Sequence, residues 1–117
     1  MTFKSEPQGK AASVGEKDYK NLLKDRREKI MRIDRRIADL YLERLCFADE
    51  IAEIKGKNFL EITDKSVEEE KLAGLTVDLS KRDAGYLENL IRYIISESKR
   101  RQKEYITDME RMRNDKH

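Results

Sequence analysis

The sequence predicts an all-α protomer of three helices in the order long, short, long. Three observations predict it: a stretch from Tyr19 to Lys55 free of Gly and Pro, apolar residues recurring at helical spacing on both sides of one short break, and 43% charged residues in near balance, 26 basic against 24 acidic. The 117 residues allow one domain at most. Charge at this density leaves little apolar material for a core, and an unaided domain of this size buries only about two-thirds of its unfolded surface. A lone globule is therefore disfavoured, and balanced charge points instead to helices laced by ion pairs.

Residues 1–17 carry the only Pro, two of the five Gly and no apolar periodicity, so they read as a flexible tail ahead of a helical domain over residues 18–117. In the first helix, Tyr19 to Lys55, one track reads Leu23, Arg27, Ile30, Asp34, Ile37, Tyr41, Arg44, Ala48, Ile51, Lys55. Its neighbour reads Ile30, Ile33, Ile37, Leu40, Arg44, Phe47, Ile51, Ile54. Together they form a broad apolar face on a helix more than ~50 Å long, beyond the span of a compact domain of this size, so a partner chain is expected. Gly56 is placed to end that helix and Asp64 to cap the next, which runs from Lys65 to about Val77 with Glu68, Glu69 and Glu70 near its positive end. Ser80 or Asp83 starts the third helix, which runs to about Arg113 on a face of Leu87, Leu90, Ile91, Ile94, Ile95, Ser98, Gln102, Tyr105, Ile106 and Met109.

A net charge of +2 gives no field that argues for nucleic acid or an anionic membrane. The cluster Lys99, Arg100, Arg101, Lys103 is surrounded by acidic residues and lacks an aromatic platform, so it reads as a solvated helix face. No run of 18 apolar residues is present and the N-terminus lacks a signal-like apolar region, so a soluble, cytoplasmic protein is expected. One cysteine, Cys46, and one histidine, His117, exclude a disulfide framework and a Cys/His zinc site, and no metal or cofactor is expected.

The informative residues interrupt the apolar stripes. Arg44 is in phase with both tracks, Lys55 is four beyond Ile51, and Arg27 is three before Ile30. On the third helix Ser98 is four after Ile94, and Gln102 is four after Ser98. Singly, each is more often a snorkelling or merely tolerated residue than a ligand contact. Jointly they describe a cationic, hydrogen-bonding cavity in a bundle, suited to a small anion with two or more negative groups. No activated Ser or Cys, no histidine near the stripe and no Gly-rich phosphate loop accompanies them. Cys46, two residues from Arg44, faces roughly the opposite side and reads as an inert small hydrophobe. Any catalysis there would rest on positioning and electrostatic stabilisation.

Taken in order, these residues resemble the all-helical class of chorismate mutases over about residues 20–107. The resemblance rests on Arg27-Glu28-Lys29-Ile30 followed by Ile33-Asp34, on Glu43-Arg44 with the Arg ten after that Asp, on Lys55 eleven further on and nine before Asp64, and on the late Ser98 and Gln102. It implies a three-helix protomer in an intertwined homodimer, with chorismate as the substrate of two active sites shared between chains. It further implies that Arg44 binds a substrate carboxylate within its own chain and that Arg27 reaches across from the other protomer. Lys55 would contact the ether oxygen and a carboxylate, Gln102 the ether oxygen, Ser98 a carboxylate, and Asp64 and Glu68 the region of the ring hydroxyl. The catalytic set is then Lys55, Gln102, Arg44 and Arg27. The reaction implied is the Claisen rearrangement of chorismate to prephenate, in phenylalanine and tyrosine biosynthesis.

One position departs from the family pattern. Many members carry Arg immediately before the place of Glu68, where this chain has Val67; Lys71, four residues on, is a candidate substitute, and a weaker site or a different substrate is the alternative. Rival readings on the same fold are an isochorismate-pyruvate lyase and an aminodeoxychorismate mutase. The rival from another class is a non-catalytic helical dimer, either an inactive paralogue or a scaffold.

Overall fold

The computed structural model describes residues 15–115. Within them lie three helices: α1 (Glu16–Lys57), α2 (Lys65–Thr76) and α3 (Lys81–Asp115). Among the described residues there is no strand, and the all-α, long–short–long order is the one the sequence predicts. Most of the tail assigned to residues 1–17, and His117, lie outside the described residues. α1 begins a turn earlier than Tyr19, with the Gly15 carbonyl accepting the Tyr19 N–H at 2.9 Å.

The chain divides after Leu42 into two units. The first holds the N-terminal part of α1. Its large apolar residues lie open, among them Leu22, Leu23, Ile30, Ile33, Ile37 and Leu40. Arg26 and Lys29 pair with Asp25 on its surface.

The second unit contains the last four turns of α1 with α2 and α3. Its buried apolar residues are Ala48, Ala52, Leu72 and Ile95, and its buried polar residues are Ser98 and Gln102. Ala48, Ala52 and Gly56 stand four apart, so they form one column of small side chains on α1. α3 lies against that column: a Cβ built on Gly56 would meet Ile106 Cγ1 at 3.5 Å. Phe47, Ile51 and Ile54, the large members of the apolar track, remain exposed, while the small residues beside them bury because they let two backbones approach.

Gly56 does not end α1 as expected. It is helical, and no glycine among the described residues has positive φ. The left-handed position belongs to Phe59, at φ 54°, and the Leu60 N–H closes the turn on the Lys55 carbonyl at 2.9 Å. That is the Schellman arrangement, with Phe where glycine is usual.

Asp64 caps α2 as predicted, accepting the Val67 N–H at 3.3 Å. α2 stops at Thr76, whose hydroxyl donates to the Leu72 carbonyl at 2.8 Å. Of the two starts considered for α3, Ser80 is the cap: its Oγ accepts the Asp83 N–H at 3.1 Å. α2 packs on α3, and ion pairs lace the two, Lys99–Glu68 at 3.0 Å and Arg92–Glu69 at 3.3 Å.

Because Gly56 is helical and an added methyl group would reach only ordinary contact with Ile106, Gly56→Ala should stabilise the chain by ~0.5–1 kcal/mol. A cap glycine would give the opposite sign. Thermal melting of the two proteins, followed by circular dichroism, decides between them.

Candidate functional site

Three elements of the second unit wall a cavity of about 260 Å³. α1 contributes Arg44 and Lys55, the α2 cap and first turns contribute Asp64, Val67, Glu68 and Lys71, and α3 contributes Ser98, Lys99 and Gln102. Phe47, Ala48, Ile51, Ile62 and Ile95 complete the wall. Six of the seven residues singled out in the sequence, Arg44, Lys55, Asp64, Glu68, Ser98 and Gln102, therefore share one cavity. Arg27 belongs to the first unit, is exposed, and is not part of this wall.

Local structure explains each placement. Lys55 sits in the last turn of α1, where its carbonyl takes part in the Schellman turn and its Nζ donates to the Ile62 carbonyl at 2.8 Å. One of three ammonium hydrogens is thus used, and two remain for a ligand. Arg44 is half-buried, and among the described residues no carboxylate pairs with it. Asp64 accepts from the Ser66 hydroxyl at 2.9 Å as well as from the Val67 amide. These bonds, the serine first, hold its carboxyl below the usual carboxylate range, so it is ionised at neutral pH.

Ser98 and Gln102 are the buried polar pair of α3. Gln102, 6% exposed, donates from Nε2 to Ser98 Oγ at 3.2 Å, while its Oε1 has no partner. A buried acceptor left unmatched costs about 1–3 kcal/mol, so this amide is kept against its own stability interest. Turning the amide about its last torsion would let Oε1 accept from the Ser98 hydroxyl and put both Nε2 hydrogens in the unmatched place.

The arrangement is rich in fixed charge and poor in nucleophiles. No Cys or His lines it, Cys46 is exposed and free, and among the described residues no group of His, Cys, Asp and Glu could hold a metal. Such a cavity can bind a small anion and stabilise charge developing on an oxygen.

A family model described as chorismate mutase type II matches residues 26–103. The chain belongs to that family. No curated protein and no solved structure matches it. In this chorismate mutase type II chain the matched stretch includes Arg27 and every residue of the cavity wall. No helix among the described residues is long and apolar enough to cross a membrane.

Sequence reasoning missed one charged member of the wall. Lys99 was assigned to a solvated basic face, yet it lines the cavity and pairs with Glu68. The available signal was its phase: it stands four after Ile95 and three before Gln102. Its neighbours in that cluster do face outward. Arg100 pairs with Glu97 and Glu104, and Arg101 makes a two-pronged bond to Asp49 of α1 at 2.8 and 2.9 Å.

The Arg101–Asp49 pair ties α3 to α1 beside Ala48 and Gln102. The guanidinium holds the Asp49 carboxyl below its ordinary range. A depressed folded-state value means that the pair stabilises the fold above the unfolded carboxylate range, and that the gain is lost as pH falls through the folded value. Asp49→Asn should therefore melt slightly below wild type at pH 7. The gap should shrink below about pH 4 and close in stronger acid. Melting curves across pH 2–7 check this.

Proposed function

We propose that the chain catalyses the Claisen rearrangement of chorismate to prephenate, within phenylalanine and tyrosine biosynthesis. The observation that carries this reading is the meeting of Arg44, Lys55, Ser98 and Gln102, with Asp64 and Glu68, around one cavity lined by no Cys or His. The reaction is intramolecular and requires neither a general base nor a covalent intermediate. Its needs are a fixed conformation and a cation at the ether oxygen.

In this reading Arg44 and Lys55 hold the substrate dianion in a chair-like conformation, which removes most of the orientational freedom of the free molecule. The carbon–oxygen bond breaks ahead of full carbon–carbon bond formation, so negative charge builds on the ether oxygen. Lys55 and the Gln102 amide donate to that oxygen and bind the transition state more tightly than the ground state. Ser98 supports a carboxylate, and Asp64 and Glu68 receive the ring hydroxyl. Arg27 acts from a second copy of the chain in an intertwined homodimer. The open apolar residues of the first unit, Leu22 to Leu40, support that assembly as a face in want of a cover.

Incubation with chorismate, with loss of its absorbance and identification of the product, tests the reading. Prephenate supports it; pyruvate with salicylate from isochorismate identifies a lyase instead; no turnover leaves a binding or structural role. Lys55→Ala should lower kcat/KM roughly 10³-fold, ~4 kcal/mol of transition-state stabilisation, and near-wild-type turnover would remove Lys55 from the mechanism. Gln102→Glu can donate only when its carboxyl is protonated. Its activity should be highest in acid and fall as pH rises through the new carboxyl's pKa, whereas wild type keeps its activity over that range. A flat profile for Gln102→Glu contradicts the role given to Gln102.

A further inference from the structure

We infer that Lys99 is an anion-binding residue of this cavity, neutralised by Glu68 while the site is empty and donating to a carboxylate of the ligand when it is filled. The inference deepens the proposed function and rests on it for the identity of the natural ligand.

The first ground is position. Lys99 lies on α3 between Ser98 and Gln102, its side chain 27% exposed, and its Nζ stands 3.0 and 3.2 Å from the two carboxylate oxygens of Glu68. Glu68 is itself on the wall, and its side chain is 23% exposed. Both charges of this pair are therefore withdrawn from solvent into the cavity. The difference lies with the cation: the basic partners of the other ion pairs of α3 are 44% to 70% exposed, although the acids Glu97 and Asp49 are as covered as Glu68.

The second ground is charge balance. The wall carries Arg44, Lys55, Lys71 and Lys99 against Asp64 and Glu68. A dianion entering this space would meet two carboxylates. Asp64 is already satisfied by its cap bonds and lies close enough to Lys55 to feel its charge. Glu68 has Lys99 as its counter-ion. Without Lys99 its carboxylate would repel the ligand from within a half-buried cavity, where screening by water is weaker than on a surface. An ammonium has three donors, so Lys99 can bridge Glu68 and a second carboxylate at once. Lys71 is the other lysine on the wall, but it is exposed and remains solvated.

The third ground is the place of Val67. It lines the same cavity from α2 as Lys99 does from α3, so a cation at either position projects into one space. A cation introduced at residue 67 would therefore enter the space that Lys99 enters.

The test uses the full chain and isophthalate, a rigid dicarboxylate without a hydroxyl group, with affinity read by calorimetry and integrity by circular dichroism. Lys99→Met keeps most of the stem and should weaken isophthalate binding about tenfold or more. Lys99→Arg should stay within about threefold of wild type, and Lys103→Met, at an exposed lysine outside the wall, within about twofold. Val67→Arg in a Lys99→Val background should recover most of the affinity that Lys99→Val alone loses, which a purely structural role for Lys99 would not allow. With chorismate, Lys99→Met should raise KM more than it lowers kcat. Isophthalate affinity in Lys99→Met equal to wild type, a wild-type chain that binds no isophthalate, or no recovery in the Val67→Arg, Lys99→Val protein overturns the inference. Lys99-dependent isophthalate binding in a chain that makes no prephenate would overturn the proposed function and leave this inference standing.

Discussion

The site depends on one packing constraint: α3 must come close enough to α1 for side chains as short as Ser98 to share a cavity with Arg44 and Lys55. The buried Ala48 and Ala52 permit that approach, since larger side chains there would hold the helices apart. Once α3 lies on the column, helical geometry does the rest. Ile95, Ser98, Gln102 and Ile106 fall on one face of α3, and the two polar members occupy the middle of it. The Schellman turn after Lys57 then brings the chain back so that the cap of α2 closes the third wall.

The same constraint accounts for polar burial that folding alone would not favour. The core of the second unit is small, and two of its buried residues carry hydrogen-bonding side chains. Gln102 keeps an unmatched Oε1, and Arg44 stands without a carboxylate partner among the described residues. Filling this interior with leucine would remove the unmatched amide and give a simpler core. That the chain instead combines unmatched polarity with a cavity is the pattern expected where local stability is traded for a bound ligand.

Much of this was legible in the sequence because it depends on local chemistry. Helix order follows from periodicity, the Asp64 and Ser80 caps follow from side chains that accept backbone N–H groups, and four of the six cavity residues, Arg44, Lys55, Ser98 and Gln102, follow from polar groups in phase with apolar ones, whereas Asp64 and Glu68 are site residues only through the family resemblance. What was misread depends on three-dimensional context. Gly56 looks like a stop, but it is helical with room for a Cβ beside Ile106, and Phe59 takes the left-handed turn. Which part of the broad apolar face of α1 is buried within the chain also depends on context: Ala48 and Ala52 are covered, while Phe47, Ile51 and Ile54 stay exposed. Lys99 looked like one more surface lysine because a cluster of four basic residues masks the one whose phase, four after Ile95 and three before Gln102, turns it inward.

The charge composition acquires a different meaning in this setting. With near-equal numbers of acids and bases, net charge says little, and the surface pairs of α1 and α3 contribute little apiece. The charges that stand apart are those whose partners are arranged differently from the rest. Around the cavity, Lys55 spends one donor on a backbone carbonyl, Arg44 spends none on a carboxylate, and Glu68 is matched by a lysine from another helix. Each departs from the i, i+4 pairing that occupies charges such as Glu53 and Lys57. The outer pairs keep the helices soluble, whereas the inner ones preserve an unspent positive potential. A cavity lined by no Cys or His can act on an anion by binding and positioning it, and under the proposed function that work falls to its few incompletely paired cations.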